Sequence, residues 1–334
     1  MRYGVTTLPF ITPDTIALNN DGVVTGGIVN PDGSISLGKW SKGVLVNLGA
    51  PPGLATGFNR VRPFGINDSD AIVGAIYTSA GELPSRAFVH RDGSYTVLPL
   101  VHPTDLGGAA IGINRRGEVV GFDRTSNHNT RGWLWSDGAY SSLPVSGTNT
   151  VAVGINSSGT IVGYRRVSFI RRLLTGQFRR SGEMGYVLSH GTTRCFNGPV
   201  HAINALGVAA GASSSRAYLL RIRLKGAATA TVFEDGTATS ILSVPSAAYG
   251  INSSGDVIGS YRAGSGSRAF IWDAKSGAFD ITPAGYRTAV AAAINNRGEI
   301  LGYGETASGA LQDFLLTPDP NGELTPQAVS SLAP

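Results

Sequence analysis

The chain has 334 residues, 42% hydrophobic and 15% charged, with a formal net charge of +5, which is enough apolar content to bury a core and too little charge bias for a disordered polymer. Forty-six glycines exclude a helical protein, and the lone Cys195 excludes an internal disulfide and every multi-cysteine metal site. No run of 18 apolar residues exists, so no transmembrane helix is expected.

At the N-terminus, MRYGVTTLPF lacks a charged segment followed by a long apolar stretch. As written, the chain is expected in the cytoplasm; the alternative is an exported protein whose signal has been trimmed. RYGVTTLP (2–9) reads as the outer strand of a repeat unit that has no unit before it.

From residue 17 onward one pattern, [GA]-[IL]-N-x-x-[GD]-x-x-x-G, occurs seven times, at 17–26, 65–74, 112–121, 154–163, 202–211, 250–259 and 293–302. Its asparagines are Asn19, Asn67, Asn114, Asn156, Asn204, Asn252 and Asn295, spaced 48, 47, 42, 48, 48 and 43 residues apart. Asn at the first and Gly at the fourth position suit a tight turn between two strands, because Asn bonds its own backbone two residues on and Gly adopts a left-handed conformation. Asp70, which replaces that Gly once, also tolerates it. The aliphatic residue before each Asn predicts an inward strand position. The closing Gly, Gly26 through Gly302, predicts a close approach by a neighbour.

A second, looser pattern follows about ten to twenty residues later, clear in SRAFVHRDGSYTVLP (85–99), TRGWLWSDGAYSSLP (130–144) and SRAFIWDAKSGAFDITP (267–283) and degraded in LGKWSKGVLVNLG (37–49) and MGYVLSHGTTRCF (184–196). It reads as another hairpin: aromatic strand, turn, then a strand ending near Leu-Pro. Two hairpins make four strands per unit of about 47 residues, the size of a β-propeller blade. The expected fold is therefore all-β, a single domain over 1–334 forming a seven-bladed β-propeller of four-stranded antiparallel blades. The N-terminal strand is expected to pair with the last blade and close the ring, with NGELTP (321–326) as a rival for that place.

Seven GINxxGxVVG-type motifs followed by Arg-Ala-Phe at 86–88 and 268–270 and Arg-Gly-Trp at 131–133 resemble the bacterial HAF-repeat family. The resemblance covers about residues 1 to 318. It implies a propeller-like all-β fold, often on exported proteins, and it implies no catalytic residues.

Known catalytic signatures are absent: no GxxxxGK[ST], HExxH, GxSxG, CxxC or EF-hand loop occurs. No cofactor and no metal are expected. What varies from unit to unit is the stretch just past the closing Gly: Ile76 and Tyr77, Asp123 and Arg124, Tyr164 with Arg165 and Arg166, Tyr261 and Arg262, Tyr303 and Glu305. A repeating frame with one variable rim is what a binding surface on a rigid scaffold looks like. These loops, with those after Leu-Pro, are expected on the face opposite the Asn turns, around the mouth of the channel. SNHNTR (126–131) carries His128, with His102 and Asp105 in the preceding loop, and His201 is expected on an inner strand near the channel.

The charge is uneven. Residues 165–225 hold ten Arg and Lys225 against Glu183 alone, although the chain as a whole is only +5. The core of this stretch is YRRVSFIRRLLTGQFRR (164–180), part of an insertion over about 164–183, where Arg165, Arg166, Arg171, Arg172, Arg179 and Arg180 alternate with apolar residues. It reads either as an amphipathic helix or as a hairpin turning at Thr175-Gly176. Its expected partner is a polyanion or a membrane surface.

The first functional expectation is a monomeric, non-enzymatic binding module for a small molecule, an anionic or glycan-like ligand or a protein at the channel mouth. The alternative is a stand-alone enzyme of lyase, hydrolase or cyclase type, with acid–base candidates His128, His201, Tyr164, Arg124, Tyr303 and Glu305.

Overall fold

The computed structural model describes residues 2–10, 16–52, 57–78, 81–145, 149–173, 176–213, 229–234 and 237–329, without the side chains of 81–82, 166–183 and 237. The described residues contain strands and turns and no helix.

Each motif is a hairpin, as its turn chemistry dictates. In the third unit Gly107–Ile113 pairs with Val119–Arg124, then Thr130–Ser136 and Ala139–Ser142 follow as an antiparallel meander. The fourth and fifth units repeat this order, and the sixth adds the short strand Gln327–Ala328 outside Gly277–Asp280. The seventh unit supplies three strands, Tyr286–Ile294, Ile300–Thr306 and Leu311–Pro318. Its fourth is Tyr3–Thr7, antiparallel to the last of these from Tyr3↔Pro318 to Thr7↔Phe314. Residues 321–326 take a different place, where Leu324 bridges the outer side of Tyr3. The first two units, each a four-stranded meander, are linked by one parallel bridge, Ile35↔Arg60.

The seven asparagines do the same work seven times. Asn19 Oδ1 accepts the backbone N–H of Asp21 and Val23, at 3.0 and 2.9 Å, and its carbonyl accepts that of Gly22. The fourth turn residue is left-handed, with φ +76° at Gly22 and +58° at Asp70. The amide nitrogen turns outward. Nδ2 of Asn19 donates to the carbonyl of Asn67, Asn67 to Asn114, Asn114 to Asn156, Asn156 to Asn204, Asn204 to Asn252, Asn252 to Asn295 and Asn295 back to Asn19. Each asparagine is both the turn-former of its own unit and the bond to the next.

Glycine explains why the two sequence patterns travel together. Gly74, Gly121, Gly163, Gly259 and Gly302 stand opposite Phe88, Trp133, Tyr186, Phe270 and Phe314 across the second and third strands. The aromatic ring and a carbonyl of the first strand both crowd the place a Cβ would take, as Phe270 and Ala247 do at Gly259. At these five the close approach comes from the glycine's own sheet; at Gly26 it comes from the Phe10 ring, which lies outside that sheet.

Among the described residues seven apolar clusters lie between successive units. Val73, Ala87, Ala110 and Trp133 fill the space between the second and third. Leu301 and Leu315 of the seventh pack on Val24, Phe10 and Trp40 of the first.

The insertion is a β-hairpin and not a helix. Ile161–Leu173 pairs with Gly176–Ser189 without a break from Ile161↔Leu188 to Leu173↔Gly176. Val167, Phe169, Ile170 and Phe178 between the arginine pairs suit a strand, and Gly176 would cost a helix about 1 kcal/mol.

Candidate functional site

The rim of the third unit carries a cavity of about 390 Å³. Three loops build it: the one after Leu98-Pro99, the one after Arg124, and the segment flanking Val145 and Asn149. Hydrogen-bonding side chains outnumber apolar ones in its lining, with His102, Asp105, Asn127, Asn129, Arg131 and Asn149 in the wall, and Leu143 and Val145 add an apolar part.

Local chemistry sets each wall. His128 takes the left-handed turn position, φ +61°, where its backbone N–H bonds the carbonyl of Thr125 and its carbonyl accepts from Arg124 Nη1 at 3.4 Å. His128 therefore shapes the loop and is not in the wall. Asn149, also left-handed at φ +60°, presents Oδ1 to the N–H of Thr130 at 3.1 Å. Arg131 donates from Nη1 to Asp105 Oδ2 at 3.0 Å; the carboxylate side chain is 2% exposed and the guanidinium 41%. A buried carboxylate thus holds the head of a half-exposed arginine against the cavity. Below it Asp123 accepts from Val101 N at 2.7 Å and Trp133 Nε1 at 2.9 Å. Burial raises the Asp123 pKa above its ordinary value, against the lowering effect of those two donors.

The other residues singled out in the sequence lie apart. Tyr77 packs its ring under the Arg62 guanidinium, 5.1 Å from the ring centroid. Ile76, Asp123 and Tyr261 are buried and do not line a mouth; Tyr261 donates to Asp280 at 2.6 Å, and Arg268 binds the same carboxylate. Tyr164 and Arg165 lie in the ladder opposite Val151 and Thr150. Arg262 is exposed, and Glu305 pairs with Arg287 at 3.4 Å. Tyr303 packs into the cluster between the seventh and first units. His201 sits on the inner strand Val200–Ile203, donates from Nδ1 to the carbonyl of Ala248 at 2.9 Å, and stacks on Tyr249 at 5.4 Å. The acid–base candidates thus fall on four different units, and Arg124 meets His128 through a backbone oxygen. The side chains of Arg166, Arg171, Arg172, Arg179 and Arg180 lie outside the described residues.

Sequence reasoning missed a second cavity, of about 280 Å³, at the centre of the Asn-turn face. All seven turns line it, together with the aliphatic residue before each Asn, from Leu18 to Ile294. The signal was present: the residue after each Asn is different in most units.

No family model and no curated protein matches the chain. Among solved structures it is similar to the β-propeller domain of the Trilobed protease from Pyrococcus furiosus, described as having an open velcro topology, at 10% identity and TM-score 0.59 over 98% of both chains. It is also similar to a puromycin-hydrolyzing peptidase of Mycobacterium tuberculosis, at 12% identity and TM-score 0.55, covering 98% of this chain and 55% of that one. The class is therefore a β-propeller fold: an all-β chain of four-stranded antiparallel sheets.

Proposed function

We propose that the chain is a seven-bladed β-propeller, closed by its N-terminal strand on the last blade, and that it works as a binding module for a polyhydroxylated, glycan-like ligand held in the cavity of the third unit. The seven motifs, the cycle of amide bonds and the seven inter-unit clusters support the blade count and the closure. The observation that carries the binding reading is the cavity itself: about 390 Å³, walled by three rim loops with amide and hydroxyl side chains that both donate and accept. Arg131 is offset there by Asp105, so the wall offers paired hydrogen bonds and not a net charge.

The arginine hairpin of the fourth unit is the element for an anionic partner. Its strands run far beyond the length of their counterparts, and its sequence carries six arginines between 165 and 180.

The test is calorimetric titration with a panel of neutral mono- and disaccharides. Ser142, exposed at the cavity wall, is replaced in Ser142→Trp to fill the space without touching the core. A saccharide that binds the wild type and not the variant, with both melting alike, supports the reading. Equal binding by both, or by neither, removes it.

A further inference from the structure

Each Asn turn uses the N–H of its third and fifth residues on the Asn side chain and leaves that of its second residue outside. In three units the neighbour supplies the missing acceptor. Asn20 N donates to Asp68 Oδ1 at 3.0 Å, Ser253 N to Asn296 Oδ1 at 2.9 Å, and Asn296 N to Asn20 Oδ1 at 2.8 Å. The rule is the same each time: the second residue of one turn is capped by the second side chain of the next, provided that side chain is an Asn or Asp.

The rule fails on the other side of the ring. After Asp68 comes Arg115, which has no acceptor; after Arg115 and Ala205 come the short Ser157 and Ser253; after Ser157 comes Ala205, with no polar atom. Among the described residues no acceptor meets the N–H of Asp68, Arg115, Ser157 or Ala205. All four border the central cavity, and aliphatic side chains border it as well. The Asp68 carboxylate is taken up by Asn20 and by Arg115, the latter at 2.7 Å. That leaves an arc of three consecutive donors, the backbone N–H groups of Arg115, Ser157 and Ala205, while the Arg115 guanidinium is turned to Asp68.

The geometry points to this arc as a binding site for a small carboxylate with a short aliphatic body. The carboxylate oxygens take the N–H groups of Arg115, Ser157 and Ala205 as the Asp68 carboxylate takes that of Asn20. The body rests on the aliphatic residues that precede the asparagines. The volume of about 280 Å³ limits the ligand to a compact acid. The site is separate from the rim cavity of the third unit and stands or falls without it.

The test uses isovalerate and its neutral isostere isovaleramide, followed by amide chemical shifts and calorimetry on the intact chain. Isovalerate is expected to move the Arg115, Ser157 and Ala205 amide signals, with isovaleramide weaker by roughly tenfold because a neutral amide oxygen is a weaker acceptor for the three N–H groups than a carboxylate. Ala205→Asn places an amide oxygen at the Ser157 N–H, as Asn296 does for Ser253, and is expected to weaken isovalerate by roughly tenfold or more while the melting temperature holds. Should that variant not fold, Ser157→Asn supplies the same oxygen to Arg115 and is expected to give the same loss. Absence of isovalerate-dependent shifts at these three amides, or undiminished affinity in a folded capping variant, overturns the proposal.

Discussion

Gly259→Ala is expected to destabilise the protein far more than its single added methyl suggests. A Cβ at residue 259 would sit under 3.0 Å from the carbonyl oxygen of Ala247, and 2.9 Å from both Ala248 Cα and Phe270 Cε1. Two of these neighbours are backbone of the adjacent strand, so they move only by breaking the Ala248↔Gly259 register. The third is a fully buried ring packed between the fifth and sixth units. Overpacking of this kind costs about 3 kcal/mol, the upper end of the usual range. At about 2.1 cal/mol/K per residue, 334 residues give an unfolding entropy near 0.7 kcal/mol/K, so the melting temperature should fall by about 4 °C. Gly255→Asn is the matched control. Gly255 is left-handed at φ +86° with nothing within 4 Å of a built Cβ, and unit two already places Asp70 at the equivalent site with φ +58°. It should cost less than about 1 kcal/mol. Differential scanning calorimetry of the two variants decides the matter: an unchanged melting temperature for Gly259→Ala, or an equal loss in both, refutes the steric reasoning.

Asn204→Ala removes two acceptor contacts inside its turn and the donor to Asn252, and is expected to cost about 3 kcal/mol or more through orphaned backbone groups, read by chemical denaturation. Asn204→Asp keeps the turn acceptors but sets a carboxylate against the Asn252 carbonyl, so its deficit should shrink as pH falls and the protonated acid donates again. Burial, and secondarily the charge of Lys39, hold the His90 imidazole below its ordinary pKa. The unfolded chain therefore takes up this proton below pH about 6.5 while the folded chain does not, so stability falls as pH drops through that range; in His90→Gln the acid limb of a melting-temperature profile should be flatter. Heparin retention of the wild type at low salt, lost when Arg165, Arg166, Arg171, Arg172, Arg179 and Arg180 are all changed to Ser, is expected if the hairpin contacts a polyanion, with steep loss in added salt. A wild type that does not bind the column at low salt removes that contact.

The sequence by itself determined what is local and periodic. Seven hairpins and their left-handed fourth residue follow from turn chemistry and spacing, because each depends on residues close in the chain. Only the tertiary structure decided what crosses between units. The cyclic donation from each asparagine amide spans 42 to 48 residues within the chain and 276 from Asn295 to Asn19, and no turn rule contains it. Asp123 and Tyr261 vary between units just as a rim does, yet each is buried because a bulky partner of its own sheet, Trp133 or the Asp280–Arg268 pair, covers it. The capping of Asn20, Ser253 and Asn296 by the next turn, and its absence at Arg115, Ser157 and Ala205, arise only because successive turns stand side by side around a shared cavity.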